Sequence, residues 1–296
     1  MTTAAITCDG LGLGFGPREV LRGLDLQVAA GELLGLVGPN GAGKSSLLRT
    51  LVGLVPRRRG HVAVLGLDPA HQSLAIRHRA CYLPGEAGVY QHLTGAEFLH
   101  FAHGCYPRLD RRRDDELRQL FALPLQQKVR GYSAGMKQKL ALLATLVPDV
   151  ELYLLDEPDR ALDASVRFQL RDVLRAMQGA GKTIVLSSHH LGELEALADR
   201  LEFLLDGTLV AADRLAAARA KLRQRPRIRL SAGAVLPPGA TLVHAEADGT
   251  LRIETATDPM RWLQQVPAGC IESAEVGIPR LEDLYELLLQ QQRSPA

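Results

Sequence analysis

One eight-residue segment has the residue types and spacing of a phosphate-binding loop. It reads GPNGAGKS at 38–45 and fits the pattern GxxxxGK[ST]. Glycines allow the backbone to turn several N–H groups toward an anion, and a helix beginning near Lys44 adds the positive end of its dipole. Lys44 would then face the β- and γ-phosphates of a nucleotide, and Ser45 would ligate Mg²⁺. A chance glycine-rich turn is disfavoured, because an apolar strand pattern precedes the loop and a helical pattern follows it at 44–54.

Two adjacent carboxylates follow a second apolar segment. The residues LYLL at 152–155 run directly into Asp156 and Glu157. In nucleoside triphosphatases with a phosphate loop, such an aspartate holds Mg²⁺. Neighbouring residues at a strand end point in different directions, so Asp156 can face the metal while Glu157 orients or deprotonates water. Acidic residues are common at strand ends, so this motif gains its weight from the phosphate loop in the same chain.

Strand-like and helical patterns alternate along the chain, which predicts an α/β fold with a largely parallel sheet. Basic residues and Pro226 at 219–229 predict a domain boundary there. The predicted domains are 1–220 and a small α+β appendage at 221–296, with strands near 227, 242 and 251 and helices near 260 and 281. In the first domain, further strands are predicted at 61–65, 80–83 and 183–186, and helices at 94–103, 110–123, 133–147, 162–178 and 192–198.

Composition excludes several classes of protein. The 296 residues are 46% hydrophobic and 23% charged, which is typical of a globular chain rather than a disordered one. A formal charge of +2 and only 4% aromatic residues argue against nucleic acid as a partner. The longest apolar run, at 140–147, is far shorter than the roughly 18 residues of a membrane helix, so a membrane role would require a partner chain. The first nine residues show no signal-peptide pattern, and four scattered cysteines without a CxxC pair suit a reducing cytoplasm.

A third motif makes the chain resemble the ATP-binding cassette (ABC) ATPases. The segment YSAGMKQ at 132–138 resembles the family signature, usually written LSGGQ. It retains the serine as Ser133 and the second glycine as Gly135, and Ser133 lies 23 positions before Asp156. The YSxGM form resembles the subgroup that serves ABC-2-type exporters. On physical grounds, a serine at a helix N-terminus can bind a phosphate, and the alternative is a simple helix cap.

The resemblance covers about residues 4–215 and implies roles for further residues. Phe15 matches an aromatic residue that stacks on adenine, with core packing as the alternative. Asp163 matches the acid of the loop after the carboxylates. His189 matches a switch histidine that contacts the γ-phosphate, whereas His190 is not expected to be the switch. The nucleotide-binding loop implied by the resemblance comprises Gly38, Pro39, Asn40, Gly41, Ala42, Gly43, Lys44, Ser45 and Ser46.

The resemblance also implies an architecture. It is a P-loop NTPase core with a mixed sheet, an inserted helical subdomain at about 86–148 and the small C-terminal α+β appendage. The implied cofactors are ATP and Mg²⁺, with Ser45 and Asp156 as metal ligands and Lys44, Glu157 and His189 as catalytic residues.

The implied partners are a second copy of the chain and a membrane permease. In the ATP-dependent head-to-tail homodimer, each site would combine the phosphate loop of one copy with Ser133 and Gly135 of the other. The permease would be a separate chain that docks on residues 85–130. The implied location is cytoplasmic, on the inner face of the membrane.

One position departs from the family pattern. The family usually has a glutamine after the strand at 80–83, where it senses Mg²⁺ and water and contacts the transport partner. This chain has Gly85 followed by Glu86. A carboxylate near phosphates is repelled unless a metal intervenes, so Glu86 can take only part of that role.

An exporter ATPase is the favoured function among three. A soluble ABC ATPase acting in cofactor assembly or another non-transport process is the alternative, and a P-loop kinase is disfavoured by the signature. The tail at 279–284 resembles that of ABC-2-type ATPases, although a plain helix start explains it as well. His100, His103 and Cys105 suggest a metal site only weakly, because no fourth ligand is apparent.

Overall fold

The chain divides into two compact units, Met1–Leu209 and Val210–Ala296. The computed structural model describes residues 4–267, 269–277 and 279–293. The first unit ends before the boundary predicted after residue 220. Helix α8 (Ala212–Arg223) spans that position, and it packs against helix α10 (Leu281–Arg293) within the second unit.

The first unit contains two sheets. A three-stranded antiparallel sheet has the order β2-β1-β4, and a six-stranded sheet has the order β5-β6-β7-β3-β8-β9. All neighbours in the larger sheet are parallel except β8 and β9. The strands are β1 (Ala4–Phe15), β2 (Arg18–Ala29), β3 (Leu33–Val37), β4 (Arg59–Val64), β5 (Ala80–Leu83), β6 (Leu152–Asp156), β7 (Thr183–Ser187), β8 (Arg200–Leu205) and β9 (Thr208–Leu209). This mixed α/β architecture confirms the predicted fold class.

Seven helices of the first unit connect these strands. They are α1 (Lys44–Leu51), α2 (Pro69–Arg79), α3 (Gly95–His103), α4 (Arg111–Phe121), α5 (Ala134–Leu146), α6 (Ala164–Gly179) and α7 (Leu191–Leu197). Helices α3 to α5 lie between β5 and β6 and form the helical subdomain. Their starts follow from sequence, since Thr94 and Glu97 form a capping box before α3 and Asp110 caps α4.

The central strands β3, β6 and β7 are buried at every residue. Parallel strands that are buried on both faces have continuous apolar sequences, which is why these three strands could be predicted from the sequence. Leu34, Leu154 and Val185 come from these strands and belong to one hydrophobic core with residues of the antiparallel sheet. This core fixes the carboxyl ends of β3, β6 and β7, where the candidate site lies.

The described residues of the second unit form an antiparallel sheet and three helices. The sheet order is β11-β12-β10-β13, and a small core of Ile228, Ile253 and Trp262 packs beside it. Its further elements are β10 (Arg227–Leu230), β11 (Ala240–Ala245), β12 (Leu251–Thr255), α9 (Pro259–Gln265) and β13 (Ile271–Glu275). The α+β appendage predicted for this region is therefore present, with β13 as an unpredicted strand. Over the described ranges of both units, we find no helix long and apolar enough to span a membrane.

Candidate active site

The phosphate loop connects the end of β3 to the start of α1. Gly41 and Gly43 have φ angles of +82° and +111°, a left-handed conformation that favours glycine. A Cβ atom at Gly38 would lie 2.3 Å from the carbonyl oxygen of Leu204. The glycines at 38, 41 and 43 are therefore required by close packing or by backbone conformation, as the motif predicts.

Lys44 is buried inside this loop, with 5% of its surface exposed. Its Nζ donates to the carbonyl oxygens of Gly38 at 2.6 Å and Pro39 at 3.1 Å. Desolvation lowers the pKa of Lys44, and the opposing charges of Glu157 and Asp156 raise it again in part. The ammonium group is thus held within the loop and feels both carboxylates from the end of β6.

Asp156 is the last residue of β6 and is 2% exposed. Its Oδ1 accepts a 2.8 Å hydrogen bond from the Oγ of Ser187, which is the last residue of β7 and its partner in the parallel register. The backbone N–H of Glu157 in turn donates to Ser187 Oγ at 3.1 Å. Ser187 was not predicted as a site residue, although its place at the end of the strand beside β6 could have indicated it.

Glu157 and His189, both expected to be catalytic residues, lie in direct contact. Glu157 has a φ of +51°, which is uncommon for a residue with a side chain and typical of functional turns. His189 Nε2 lies 2.7 Å from Glu157 Oε1, in a hydrogen bond that the carboxylate accepts. The carboxylate side chain is 20% exposed, so it lies at the surface of the site where water can reach it.

His190 contacts a different carboxylate. Its Nδ1 lies 2.7 Å from Asp159 Oδ2, and its backbone N–H donates to Ser188 Oγ at 2.9 Å. Ser188 Oγ donates to Asp159 as well. These bonds close the turn that carries His189, and they place His189 rather than His190 against Glu157.

The signature segment packs against the turn that follows Glu157. Ser133 is exposed and caps α5, since its Oγ accepts from the backbone N–H of Met136 at 3.2 Å. A Cβ atom at Gly135 would lie 2.7 Å from the carbonyl oxygen of Ala161. Gln138 Nε2 donates to the carbonyl oxygens of Pro158 at 3.1 Å and Glu157 at 3.3 Å. The sequence alone does not indicate that Gln138 holds this turn.

Four more predicted residues have clear surroundings. Phe15 ends β1 with 54% of its surface exposed, so core packing is excluded as its role. Asp163 caps α6 by accepting from the backbone N–H of Val166 at 2.9 Å, and this bond lowers the pKa of the Asp163 carboxyl. Ser45 and Ser46 lie half-buried in the first turn of α1.

The histidines of α3 are not arranged as metal ligands. His103 is buried, and its Nε2–H donates to the carbonyl oxygen of Leu143 at 3.2 Å. Cys105 Sγ donates to the carbonyl oxygen of Phe101. Throughout the described part of the chain, no three His, Cys, Asp or Glu side chains are grouped to hold a metal ion.

The available oxygen donors suit Mg²⁺ bound together with phosphates. Mg²⁺ prefers octahedral oxygen coordination and usually takes one or two protein ligands, with phosphates and water completing the shell. The Ser45 hydroxyl and the buried Asp156 carboxylate offer oxygen atoms of this kind. The residues present therefore fit the cation.

Comparison with known proteins agrees with this site. Residues 21–160 match the family model described as ABC transporter. The daunorubicin resistance ATP-binding protein DrrA3 of Streptomyces coeruleorubidus is 35% identical over 304 residues, which cover 96% of each chain. The Nod factor export ATP-binding protein I of Rhizobium meliloti (strain 1021) is 35% identical over 218 residues, covering 72% of this chain and 65% of that protein.

Solved structures show the same fold. An ATP-binding subunit of an ABC transporter aligns with a TM-score of 0.66 at 28% identity, covering 72% of this chain and 92% of that one. The dimeric, ADP- and Pi-bound ATP-binding cassette MJ0796 aligns with a TM-score of 0.63 at 20% identity, covering 70% and 97% of the two chains. At that identity the second likeness concerns the fold alone.

The fold and the site define an ATP-binding, ATP-hydrolysing P-loop protein. The chain belongs to the ABC transporter family, among its ATP-binding subunits.

Proposed function

We propose that this chain is the ATPase subunit that powers export through a separate membrane permease. The relatives that are named for drug resistance and for Nod factor export support this direction of transport. The YSxGM signature at 132–136 supports it as well, because it resembles that of ABC-2-type exporters. The permease, rather than this chain, would select the substrate.

One observation carries the catalytic part of the proposal, namely the 2.7 Å contact between His189 and Glu157 beside the buried Lys44 loop. Glu157 accepts a proton from the attacking water, while His189 holds the carboxylate in place. Lys44 and the loop N–H groups stabilise the negative charge on the transferred phosphoryl group. Mg²⁺, when bound by Ser45 and Asp156, neutralises phosphate charge.

The exposed signature serine supports a site built from two copies of the chain. Ser133 and the start of α5 present a hydroxyl and a positive helix end to solvent. The described residues show no contact between Ser133 and the phosphate loop of the same chain. We assign Ser133 and Gly135 to the nucleotide bound by a second copy, in an isologous dimer whose two sites are equivalent.

An aromatic patch on the helical subdomain is the proposed docking surface for the permease. Tyr90 and Phe101 are 48% and 56% exposed, with ring centroids 5.6 Å apart. The Phe98 ring lies beneath them, 6.1 Å from Tyr90. Exposed aromatic groups are typical of protein interfaces. Docking here would place the chain at the cytoplasmic face of the membrane.

The second unit is assigned an accessory role. The similarity to DrrA3 spans 96% of both chains, so that relative has a matching region. Its sheet and helices carry a network of arginine and carboxylate pairs around Arg252 and Glu246. This network stabilises the unit itself.

Purification with a partner tests the transport assignment. The tagged protein is isolated in mild detergent at native expression level, and its stoichiometric partners are identified. We expect a multi-span membrane protein that changes the ATPase rate when reconstituted with this chain. Exclusively soluble partners, with the chain absent from membranes, would favour the alternative of a soluble ABC ATPase in cofactor assembly.

A matched pair of variants tests the docking surface. Replacing both Tyr90 and Phe101 by alanine should remove the membrane partner while leaving ATP binding intact. Leu74→Ala is the control, because Leu74 is 63% exposed but lies on α2. Equal retention of the partner by both proteins would rule out the aromatic patch.

A further inference from the structure

The backbone at Gly85 lies directly against the buried carboxylate of Asp156. Strands β5 and β6 are parallel neighbours with Leu83 opposite Leu155, so residue 85 follows β5 beside the end of β6. A Cβ atom at Gly85 would lie 3.3 Å from Asp156 Oδ2. Contacts of this length require a neighbour to shift, so a side chain at 85 would crowd the proposed metal ligand. A side chain at this position would therefore fit only if the Asp156 carboxylate moved by a few tenths of an ångström.

The side chain of Arg160 also contacts residue 85, and it comes from the turn that follows Glu157. Its Nη1 donates a 2.9 Å hydrogen bond to the carbonyl oxygen of Gly85, across 75 residues of sequence. Arg160 lies three residues after Glu157, and its own N–H donates to the carbonyl oxygen of Glu157 at 3.2 Å. The guanidinium group thus joins the backbone after β5 to the turn that carries the catalytic carboxylate.

The turn from 157 to 161 is fixed at several points. Glu157 and Ala161 both have left-handed φ angles, of +51° and +57°. Gln138 of α5 donates to the carbonyl oxygens of Glu157 and Pro158, and Gly135 packs on the carbonyl of Ala161. A displacement of the Glu157 carboxylate or of helix α5 would therefore act on the same turn at 157–161.

We propose that Arg160 is the positioning residue that transmits the nucleotide state to the permease-facing segment at 85–90. The proposal rests on the proposed function, since it takes Tyr90 as part of the docking surface. In the family pattern, a glutamine side chain reaches from the position of Gly85 toward the nucleotide. In this chain the contact is made the other way round. The Arg160 side chain, from the turn after Glu157, donates a hydrogen bond to the backbone of the segment at 85–90. Arg160 touches no reacting atom in this role.

Hydrogen exchange on the full chain tests the proposal. Exchange of the peptide covering 85–91 is measured with and without Mg²⁺-ATP in the wild type, Arg160→Ala and Arg160→Lys. We expect ATP to slow exchange of this peptide by about tenfold in the wild type, because a nucleotide bound beside Glu157 restrains the turn from 157 to 161 and the hydrogen bond from Arg160 passes this restraint to the segment. The effect should be lost in Arg160→Ala and largely restored in Arg160→Lys, which retains a cationic donor.

The phosphate-loop peptide at 38–46 serves as an internal reference. Arg160→Ala should keep ATP-dependent protection of this peptide, with ATP affinity within about twofold of the wild type, as expected for a change that does not touch the nucleotide. Arg112→Ala, at an exposed arginine of α4, is the matched control and should behave as the wild type. A merely structural role would alter both peptides together and would not be rescued by lysine.

Two outcomes separate this inference from the proposed function. If ATP protects 38–46 and 85–91 equally well in Arg160→Ala and in the wild type, the coupling role is wrong and the ATPase assignment stands. If ATP protects neither peptide in the wild type, the nucleotide site itself is misassigned.

Discussion

Ser187 donates a 2.8 Å hydrogen bond to Asp156, and these two residues end adjacent strands of the parallel sheet. The same hydroxyl accepts from the backbone N–H of Glu157 at 3.1 Å. One serine therefore orients the proposed metal ligand and the proposed base together. Groups that orient ligands and bases in this way affect affinity and rate although they touch no substrate.

Ser187→Ala should weaken Mg²⁺-dependent ATP binding and destabilise the first unit. A buried carboxylate that loses a hydrogen-bond donor costs about 1–3 kcal/mol. That loss corresponds to a thermal midpoint lowered by roughly 2–12 °C in a unit of this size. Calorimetric titration with Mg²⁺-ATP and thermal unfolding measure the two effects. Ser165→Ala, at an exposed serine of α6, is the control. Identical behaviour of the two variants would contradict the orienting role of Ser187.

His189→Ala and His190→Ala should differ sharply in turnover. His189 contacts Glu157, whereas His190 contacts Asp159. Loss of a group that positions a general base lowers the rate by about 10²-fold or more, so His189→Ala should be nearly inactive. His190→Ala should retain a substantial rate. Phosphate release under saturating Mg²⁺-ATP measures both variants, and a larger defect in His190→Ala would reverse the assignment.

Phe15→Ala should weaken binding of the base without weakening binding of phosphates. Stacking on an aromatic side chain contributes about 1–3 kcal/mol per base, so the Kd for ATP should rise roughly tenfold. Affinity for inorganic triphosphate should not change, because the loop at 38–45 is intact. Phe168→Ala serves as the control, since Phe168 is equally exposed but lies on α6. An unchanged Kd for ATP would remove Phe15 from the nucleotide site.

Lys44→Ala should reduce ATP affinity by an order of magnitude or more, because the loop loses the side-chain cation that faces the phosphates. The carbonyl oxygens of Gly38 and Pro39 also lose their donor, which loosens the loop. Lys221→Ala, at an exposed lysine of the second unit, controls for net charge. Binding of a fluorescent ATP analogue measures both proteins, and equal affinities would argue against the phosphate-loop assignment.

The buried parallel strands could be predicted from the sequence, whereas strands β1 and β2 of the antiparallel sheet could not. Strand β5 begins and ends where the sequence pattern places it, and β3 is the apolar strand expected before the phosphate loop. Glycines at 10, 12 and 14 interrupt the apolar pattern of β1, so the sequence does not predict this strand. Two of them are required by tertiary contacts, because a Cβ at Gly12 would collide with the Arg59 side chain at 2.5 Å and one at Gly14 with the carbonyl oxygen of Arg18 at 2.6 Å.

The motifs predicted which residues line the site but not what holds them there. The resemblance implies separate catalytic roles for Glu157 and His189, and in the structure the two side chains are in contact. Ser187, Gln138 and Arg160 act through hydrogen bonds that span 31, 19 and 75 residues. Contacts at such separations leave no periodic pattern in the sequence, so only the folded chain reveals them.

The Glu157→Gln variant tests the central claim most directly. The amide keeps the size of the side chain and removes its ability to accept a proton, so ATP should bind normally while turnover falls by about 10²-fold or more. ATP that is not hydrolysed should hold two copies together. Sedimentation velocity with Mg²⁺-ATP should then show a species of twice the 32.1 kDa chain mass, which disappears when ATP is removed. Turnover at the wild-type rate, or a monomer with ATP bound, would contradict the account.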